Sequence, residues 1–382
     1  MWSVFKIANF IWLMSSTYMW MTTFISLTPI VFICNILMIV SLGFLPIKVE
    51  FGKSIGRILL AICALVIWSV LTDGYVMGIF TFMCYIPVVW LIMLPKEYMR
   101  DLLDFTTKWY AIMLAIGLVE YFILLFASLP SIGGFEYPGY EPFVNYGFYL
   151  KTTFDYGTFE RFNGFLLEPG HQALLSTFLL IANSFKLKGK PYNCILLAGV
   201  IFSFSLAGYM LAAVAWSFFF VKNMKRALFV VALVAALVAI SLSWNYGDNT
   251  LNELIISRLE YDEEKGIKGN NRYFNNTDFV FERANKEGRA FLGVQNKVNM
   301  ELVGGAGFKI YVIKYGWLGV ILAGLFYLSV IPAGANRKYT ATFFIVLALC
   351  FMQRAYPAWY SWLLPYILGV YIHRNEDEVI EK

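Results

Sequence analysis

The sequence predicts an all-α, polytopic membrane protein with about twelve transmembrane segments, or ten segments plus a re-entrant pair. Hydrophobic residues make up 59% of the 382 residues and charged residues only 14%, whereas about 25% of an ordinary soluble domain is charged. Apolar runs of roughly 16 to 22 residues recur along the chain, which is the length that a helix needs to cross a bilayer. A mean hydropathy of +0.65 agrees with this class.

Composition also excludes other classes. The net charge of +5 comes from basic residues in short loops between apolar runs, so it does not indicate a nucleic-acid partner. The five cysteines lie inside apolar runs without a CxxC pair or a neighbouring histidine, which argues against a disulfide framework or a zinc site. The aromatic content of 18% suits the aromatic belts of a membrane protein. We therefore expect the lipid bilayer as a partner, and no metal or other cofactor.

The basic residues predict which loops face the cytoplasm, because Lys and Arg concentrate on that side. Between one basic loop and the next, the chain must cross the membrane an even number of times. The basic clusters are Lys48/Lys53/Arg57, Lys96/Arg100/Lys108, Lys186/Lys188/Lys190, Lys222/Lys225/Arg226 and Arg337/Lys338. The spans predicted on this basis are 2–20, 24–45, 56–71, 75–94, 109–129, 165–185, 227–244, 306–333, 340–354 and 357–372.

Residues 192–221 lie between two basic clusters and must also cross an even number of times. They allow two passes of about 15 residues, or roughly 22 Å each at 1.5 Å per residue, against a hydrocarbon core of about 30 Å. A helix break near 203–208 (SFSLAG) would then lie within the membrane, where irregular backbone is tolerated only beside a cavity or inside protein. The alternative is one ordinary long helix that violates the charge rule.

On this scheme the chain divides into six regions. N-terminal helices (1–129) and a first outer-face loop (130–164) precede central helices (165–244) that contain the break near 203–208. A large outer-face loop (245–305) leads into C-terminal helices (306–372) and a cytoplasmic tail (373–382). The two outer loops would carry any chemistry, and the second has helix-like stretches at 250–265 and 275–288.

The stretch RFNGFLLEPGHQALL places Arg161, Glu168 and His171 at the outer mouth of the span at 165–185. Pro169 suits the first turn of a helix, and the residue before a proline is biased away from helix, so Glu168 is expected to cap this helix. A carboxylate beside an imidazole is a candidate general-base pair, in which one group orients the other. The alternative is an N-cap at the membrane interface without a catalytic role.

Arginines on the outer face form a second group of candidates: Arg258, Arg272, Arg283 and Arg289 in the large loop, and Arg354 at the tip of the last hairpin. Guanidinium groups bind phosphates in a fork geometry and keep their charge, so several together could hold a diphosphate without a metal. Arg354 interrupts an apolar run, where a charge is expected only beside a polar cavity. For Arg258 and Arg283 the alternative is ion pairing with nearby acids, which we favour for Arg283.

Two other features bear on function. Glu120 lies in the middle of the span at 109–129, so it must face the bundle interior or a wet cavity. A functional role and a role in interhelical hydrogen bonding are both open for it. The GGAG stretch at 304–307 is expected to precede a span and not to link a strand to a helix, so the sequence does not predict a nucleotide-binding loop here.

Four motifs occur in order between about residues 160 and 330: RFNGFLLEPGHQALLS, SFSLAGYMLAAV, SRLE…GNNRYFN, and FLGV followed by GFKIYVIKYGWLGVILAGLFYL. The first resembles the R-x-x-G-x-x-x-E-P opening of the O-antigen polymerase/ligase superfamily, which contains Wzy-type polymerases and O-antigen ligases. The second is similar to the S-x-S-x-x-G helix break of that superfamily, and the third to its arginine-bearing outer loop. The fourth is similar to its GxG…YxxxxxxGxxG re-entry into the membrane.

This resemblance implies a metal-independent, inverting glycosyltransferase of the membrane-embedded GT-C class, with its active site on the periplasmic face of the bacterial inner membrane. Members use undecaprenyl-diphosphate-linked sugars. They move the growing chain of an O-antigen, capsule or exopolysaccharide from its lipid diphosphate to a hydroxyl of the next lipid-linked repeat unit. The implied function is a polysaccharide polymerase, whose partners are the lipid-linked oligosaccharide, the bilayer and, as a further candidate, a chain-length regulator.

The resemblance also implies roles for the candidate residues. Glu168 or His171 would take the proton of the acceptor hydroxyl, and arginines would hold the leaving diphosphate, namely Arg161, Arg272, Arg354, Arg258 and Arg289. O-antigen ligases carry a histidine just before the re-entering helix, and the absence of one at 304–307 favours a polymerase.

Two other functions stay open: a ligase that uses a lipid or protein acceptor, and a transporter of lipid-linked glycans. Transporters tend to be built from two paired halves with inverted symmetry. The outer loops of this chain, of about 35 and 60 residues, are large and unrelated in sequence. They therefore favour chemistry at the outer face over transport.

Overall fold

The computed structural model describes residues 1–46, 53–137, 141–152, 160–220, 273–294, 303–305 and 307–374, and shorter pieces at 239, 243, 252, 256–257, 261–262 and 266–267. The described residues are mostly helical. They divide into two compact units. The first unit comprises Met1–Ser16, Ile25–Phe105 and Asn271–Lys382, and the second comprises Thr17–Phe24 and Thr106–Asn270.

In chain order the described helices are α1 (Trp2–Ser16), α2 (Leu27–Gly43), α3 (Lys53–Asp73), α4 (Tyr75–Tyr85), α5 (Pro87–Ile92), α6 (Lys96–Leu124), α7 (Pro169–Ala182), α8 (Pro191–Phe202), α9 (Leu206–Phe220), α10 (Thr277–Lys286), α11 (Phe308–Ser329), α12 (Arg337–Gln353) and α13 (Tyr360–Ile372). The strands are β1 (Gly133–Phe135), β2 (Phe143–Asn145), β3 (Leu150–Thr152), β4 (Tyr261–Asp262), β5 (Gly266–Ile267), β6 (Tyr273–Asn275) and β7 (Val303–Gly305). Short 3₁₀ helices occur at Trp20–Thr23 and Arg289–Phe291.

Among the described residues, four helical stretches are long and apolar enough to cross a membrane: Ile55–Asp73, Tyr75–Ile92, Lys96–Leu124 and Phe308–Ser329. Shorter apolar helices are Leu27–Gly43, Pro191–Phe202, Leu206–Phe219 and Tyr360–Ile372. The fold is therefore mostly helical and compatible with a membrane protein, as the composition predicts. The number of twelve spans stays a prediction, and the predicted span at 227–244 lies almost wholly outside the described residues.

Helix α6 begins at Lys96, whereas the sequence predicts a cytoplasmic loop here and a span only from residue 109. Buried residues recur along its first turns at helical spacing, among them Met99, Leu102 and Leu103. This i, i+3, i+4 pattern is typical of an amphipathic helix. The basic residues of this stretch, such as Arg100, therefore lie on exposed faces of one continuous helix of 29 residues.

Helix α7 is also shorter than predicted, because residues 165–168 precede it and it begins at Pro169. Its 14 residues span about 21 Å at 1.5 Å per residue. Every residue from Gly170 to Ala182 is buried. Since a helix that is buried on all faces has no solvent-exposed or lipid-exposed stripe, α7 is a core helix of the second unit.

Residues 203–205 separate α8 from α9, which have 12 and 15 residues. The Oγ of Ser205 accepts a hydrogen bond from the backbone N–H of Gly208 at 3.3 Å. The Oγ of Ser203 accepts one from the N–H of Ser205 at 3.2 Å. These hydroxyls satisfy backbone donors that have no helical partner at the start of α9. Two passes through the membrane in this region stay a prediction.

The segment 130–164, which the sequence predicts to be the first outer-face loop, contains strands, so the all-α class needs a small correction. Its strands β1, β2 and β3 form an antiparallel sheet in that order. Phe143 and Leu150 from this sheet pack with Leu167 in a buried cluster. A sheet forms here because its apolar side chains have a buried surface to pack against, which a sequence rich in Gly, Pro and Tyr does not reveal.

Glu120 forms a hydrogen bond to a turn of this sheet. Its Oε2 atom accepts a hydrogen bond from the backbone N–H of Phe148, in the turn between β2 and β3, at 3.0 Å. Gly117, one turn earlier in α6, lets the carbonyl of Phe148 approach so closely that a Cβ atom would lie 2.3 Å from it. The carboxylate thus joins α6 to a turn of the sheet, whereas the sequence analysis considered a bond between helices; a functional role for Glu120 stays open.

Candidate functional site

Residues 162–167 form a buried plug between two partly exposed ends, Arg161 and Glu168. The backbone N–H of Leu150 donates to the carbonyl of Gly164 at 2.8 Å, which ties the plug to β3. Gly164 has a φ angle of +59°, a conformation that residues with a Cβ atom rarely adopt. The apolar centre of the motif is therefore anchored, and its two charged ends are the groups that solvent or a ligand can reach.

Glu168 is the residue before α7, with an extended backbone, and Pro169 occupies the first turn, as the sequence predicts. The carbonyl of Glu168 accepts hydrogen bonds from the N–H groups of His171 at 3.1 Å and Gln172 at 3.3 Å. Its carboxylate makes no capping hydrogen bond to the first turn, so the expected side-chain cap is wrong. Pro169 also has no N–H group, so one of the four N–H groups that lack a helical partner at this end of α7 is absent.

The carboxylate lies beside the imidazole of His171, with 3.8 Å between Oε2 of Glu168 and Nε2 of His171. This distance is within ion-pair range but longer than a hydrogen bond. The Glu168 side chain is 24% exposed, whereas that of His171 is 2% exposed. The two groups that the sequence brings together thus differ sharply: the carboxylate is accessible, and the imidazole is buried behind it.

The surroundings of His171 include groups that the sequence did not predict. The ring of Tyr18 stacks on the imidazole, with ring centroids 5.5 Å apart and an angle of 21° between the planes. On the same helix, the amide of the buried Gln172 donates to the hydroxyl of Ser176 at 3.0 Å. The spacing of Gln172 and Ser176 was visible as two polar residues four apart in an apolar run, but nothing in the sequence signalled Tyr18.

Arg161 lies at the other end of the plug, next to the break between α8 and α9. The N–H of Phe162 donates to the carbonyl of Phe202, the last residue of α8, at 3.0 Å. The Arg161 charge acts electrostatically on the hydroxyl of Tyr209 in the first turn of α9. A fixed positive charge beside a helix break is suited to an anionic group such as a phosphate.

The other predicted arginines are not described in the second unit, which contains Glu168 and His171. Arg258 and Arg272 lie outside the described residues. Arg354 follows α12 in the first unit and is 4% exposed. Arg289, also in the first unit, forms an ion pair with Glu287 at 3.2 Å and is largely exposed. Their roles at a diphosphate stay predictions from the sequence.

Arg283 behaves as the sequence suggests. Its Nε donates to a carboxylate oxygen of Glu287, which directly follows α10, at 2.7 Å. This hydrogen bond lowers the pKa of the Glu287 carboxyl and raises that of Arg283. The Arg283 side chain is 64% exposed, so Arg283 is a surface residue with a local partner.

In the part of the chain that the structure describes, no group of three or more His, Cys, Asp or Glu side chains could hold a metal ion. Comparison with family models, with curated proteins and with solved structures gives no significant match. The function is therefore inferred from the motifs and from the geometry of Arg161, Glu168 and His171.

Proposed function

We propose that the chain is an inverting, membrane-embedded glycosyltransferase of the GT-C class that polymerises lipid-linked oligosaccharide repeat units at the periplasmic face of the bacterial inner membrane. The observation that carries the proposal is the accessible carboxylate of Glu168 in front of the buried imidazole of His171. The ordered motifs between residues 160 and 330 supply the substrate class. The apolar, mostly helical fold is compatible with a substrate held by a lipid.

In the proposed reaction, a hydroxyl oxygen of the incoming repeat unit attacks the anomeric carbon at the lipid-linked end of the growing chain. The bond between that carbon and the diphosphate oxygen breaks, and the undecaprenyl diphosphate leaves with the electron pair. Attack from the side opposite the leaving group inverts the anomeric carbon. The acceptor proton passes to a carboxylate base, and a guanidinium stabilises the charge on the departing diphosphate.

The difference in exposure between Glu168 and His171 supports these roles. A base must come within hydrogen-bond reach of the acceptor hydroxyl, and the Glu168 carboxylate is the member of the pair that an acceptor can approach. His171 is buried beside Glu168. Its imidazole is suited to orient the Glu168 carboxylate and to interact electrostatically with the negative charge of that carboxylate. Arg161, at the other, partly exposed end of the plug, is the guanidinium that we assign to the leaving diphosphate.

The decisive experiment supplies the purified protein, in lipid nanodiscs, with a single undecaprenyl-diphosphate-linked repeat unit and no other acceptor. We expect a ladder of lipid-linked products that increase by one repeat unit. Products would be separated by gel electrophoresis and their masses measured. Unchanged starting material would contradict the polymerase assignment and favour a ligase or a transporter, which vesicle assays with a second acceptor or with trapped lipid would then distinguish.

Replacing Arg161 tests the leaving-group role. Arg161→Ala is expected to lower the rate constant of elongation about 100- to 1,000-fold, the usual effect of removing one group that stabilises developing negative charge. Arg161→Lys should lie in between, because lysine keeps the charge but loses the planar fork. The measurement is the initial rate of ladder formation at saturating repeat unit, with the amount of inserted protein determined by immunoblot.

Arg283→Ala is the matched control, since it removes an exposed guanidinium that already has Glu287 as a partner. It should elongate at the wild-type rate. If Arg161→Ala elongates as fast as Arg283→Ala, then Arg161 does not act on the diphosphate.

A further inference from the structure

A segment that follows α1 is attached to the candidate site through its backbone. Residues 17–20, named here the N-terminal strap, belong to the same unit as α7. Met19 forms an antiparallel bridge with Leu166. The N–H of Leu167 donates to the carbonyl of Tyr18, and the N–H of Trp20 donates to the carbonyl of Phe165, each at 3.2 Å. The strap is therefore held in register with the end of the buried plug.

This register places the side chain of Tyr18 over His171. The two rings are stacked, with centroids 5.5 Å apart. Tyr18 has a φ angle of +60°, which is uncommon for a residue with a bulky side chain. Its side chain also packs against the buried cluster of Phe143, Leu150 and Leu167. An unusual backbone conformation that is fixed by a backbone ladder and by packing indicates a precise placement of the ring.

The stacked ring of Tyr18 restricts rotation of the His171 imidazole. His171 lies in the first turn of α7, and rotation about its χ2 angle would swing the ring out of its plane. A ring stacked on one face opposes that rotation. Nε2 of His171 remains 3.8 Å from the carboxylate of Glu168 only while the plane is kept. A base that is oriented by a second group, which is itself held by a third, is a recurrent arrangement in active sites.

We propose that Tyr18 is a positioning residue, whose ring fixes the plane of the His171 imidazole beside the Glu168 carboxylate. The consequence for catalysis rests on the proposed function, whereas the placement of the imidazole does not. The N-terminal part of the chain thus contributes to the site, although the sequence motifs lie wholly between residues 160 and 330.

Two substitutions distinguish the effect of the aromatic ring of Tyr18 from the effect of its side-chain packing. Tyr18→Phe keeps the aromatic ring and removes only the hydroxyl. Tyr18→Leu keeps an apolar side chain for the cluster with Leu167 but removes the ring. Both keep the backbone ladder of the strap, because that ladder uses main-chain atoms. Leucine is chosen over alanine so that loss of packing does not dominate the result.

The first readout is spectroscopic, and it is feasible because the chain has only two histidines. The second, His373, lies after α13 in the other unit and stacks on Tyr339. His373→Gln therefore leaves His171 as a single reporter in protein labelled with ¹³C,¹⁵N-histidine. Stacking on Tyr18 should shift the ring proton resonances of His171 upfield. We expect the shift in the parent and in Tyr18→Phe, and its loss in Tyr18→Leu.

The second readout is the elongation rate. Tyr18→Leu is expected to lower kcat about 100-fold, the scale of a misplacement by about 1 Å, with KM nearly unchanged. Tyr18→Phe should restore most of kcat. An unshifted His171 resonance in the parent would overturn the placement of the imidazole by Tyr18, and wild-type kcat in Tyr18→Leu would overturn the role of that placement in catalysis. Failure of the parent protein to form a ladder would instead count against the polymerase function, and the resonance would still decide whether Tyr18 places the imidazole.

Discussion

Glu168→Gln is expected to lower the rate constant of elongation about 100- to 10,000-fold, the range for a lost general base. Glutamine keeps the shape of the side chain, and its amide cannot take the acceptor proton. His171→Asn should have a smaller effect, because the imidazole is 2% exposed and in the proposed mechanism acts on the substrate only through the carboxylate. The measurement is kcat for ladder formation with each variant at saturating repeat unit.

Glu160→Gln provides the matched control for this pair. Glu160 is a carboxylate of the same unit, and it forms an ion pair with Lys151 at 2.6 Å. Its side chain also accepts a hydrogen bond from the hydroxyl of Tyr149 at 3.2 Å. With those partners it has a structural role, so Glu160→Gln should elongate at close to the wild-type rate.

Which of Glu168→Gln and His171→Asn loses more activity decides which residue is the base. A larger loss in His171→Asn than in Glu168→Gln would make the imidazole the base and the carboxylate its orienting group. Wild-type rates in both variants would remove the general-base pair from the mechanism altogether.

Gly316→Ala is expected to destabilise the first unit strongly. Gly316 lies within α11 but has φ +71° and ψ 173°, a conformation that is nearly exclusive to glycine. A Cβ atom here would lie 2.3 Å from the carbonyl oxygen of Phe291 and 2.4 Å from the N–H nitrogen of Gly293. Both are backbone atoms, which cannot move aside as a flexible side chain could.

The expected cost of Gly316→Ala is at least about 1–3 kcal/mol for the backbone conformation alone, and the steric clash adds to it. The same region explains why the helix departs from regular geometry here. The N–H of Val294 donates to the carbonyl of Ile313 at 2.8 Å, so a carbonyl of α11 accepts a hydrogen bond from the 291–294 stretch, which lies outside the helix. Thermal unfolding of the purified protein in detergent would measure the loss of stability in Gly316→Ala as a lower midpoint temperature.

Gly324→Ala is the control in the same helix. Gly324 has ordinary helical geometry, and a Cβ atom there would meet nothing within 4 Å. Since alanine is favoured over glycine inside a helix, this variant should unfold at the wild-type temperature or slightly above it. Equal midpoints for Gly316→Ala and Gly324→Ala would show that the stretch at 291–294 does not constrain α11.

Composition and apolar run length predicted the helical, membrane-compatible class correctly, because these properties depend on the number of residues of each type and not on their contacts. The charge rule was less successful for α6. It treated Lys96 and Arg100 as loop residues, whereas the buried pattern of Met99, Leu102 and Leu103 continues the helix through them. Helical periodicity was present in the sequence and carried more information there than charge.

The candidate pair was also predictable, since Glu168 and His171 are three residues apart at the start of a helix. The sequence did not distinguish their roles. The two side chains differ in exposure, and exposure depends on which other parts of the chain cover each of them.

By itself, then, the sequence determined the helical class and the proximity of Glu168 to His171, because local spacing and composition are sufficient for both. Only the tertiary structure decided which of the two is accessible, and that Tyr18 covers the imidazole. The strap at 17–20 and the plug at 162–167 are about 145 residues apart in the chain, and their pairing depends on main-chain hydrogen bonds, which any residue type other than proline can form. Residue types therefore give no signal of such a contact.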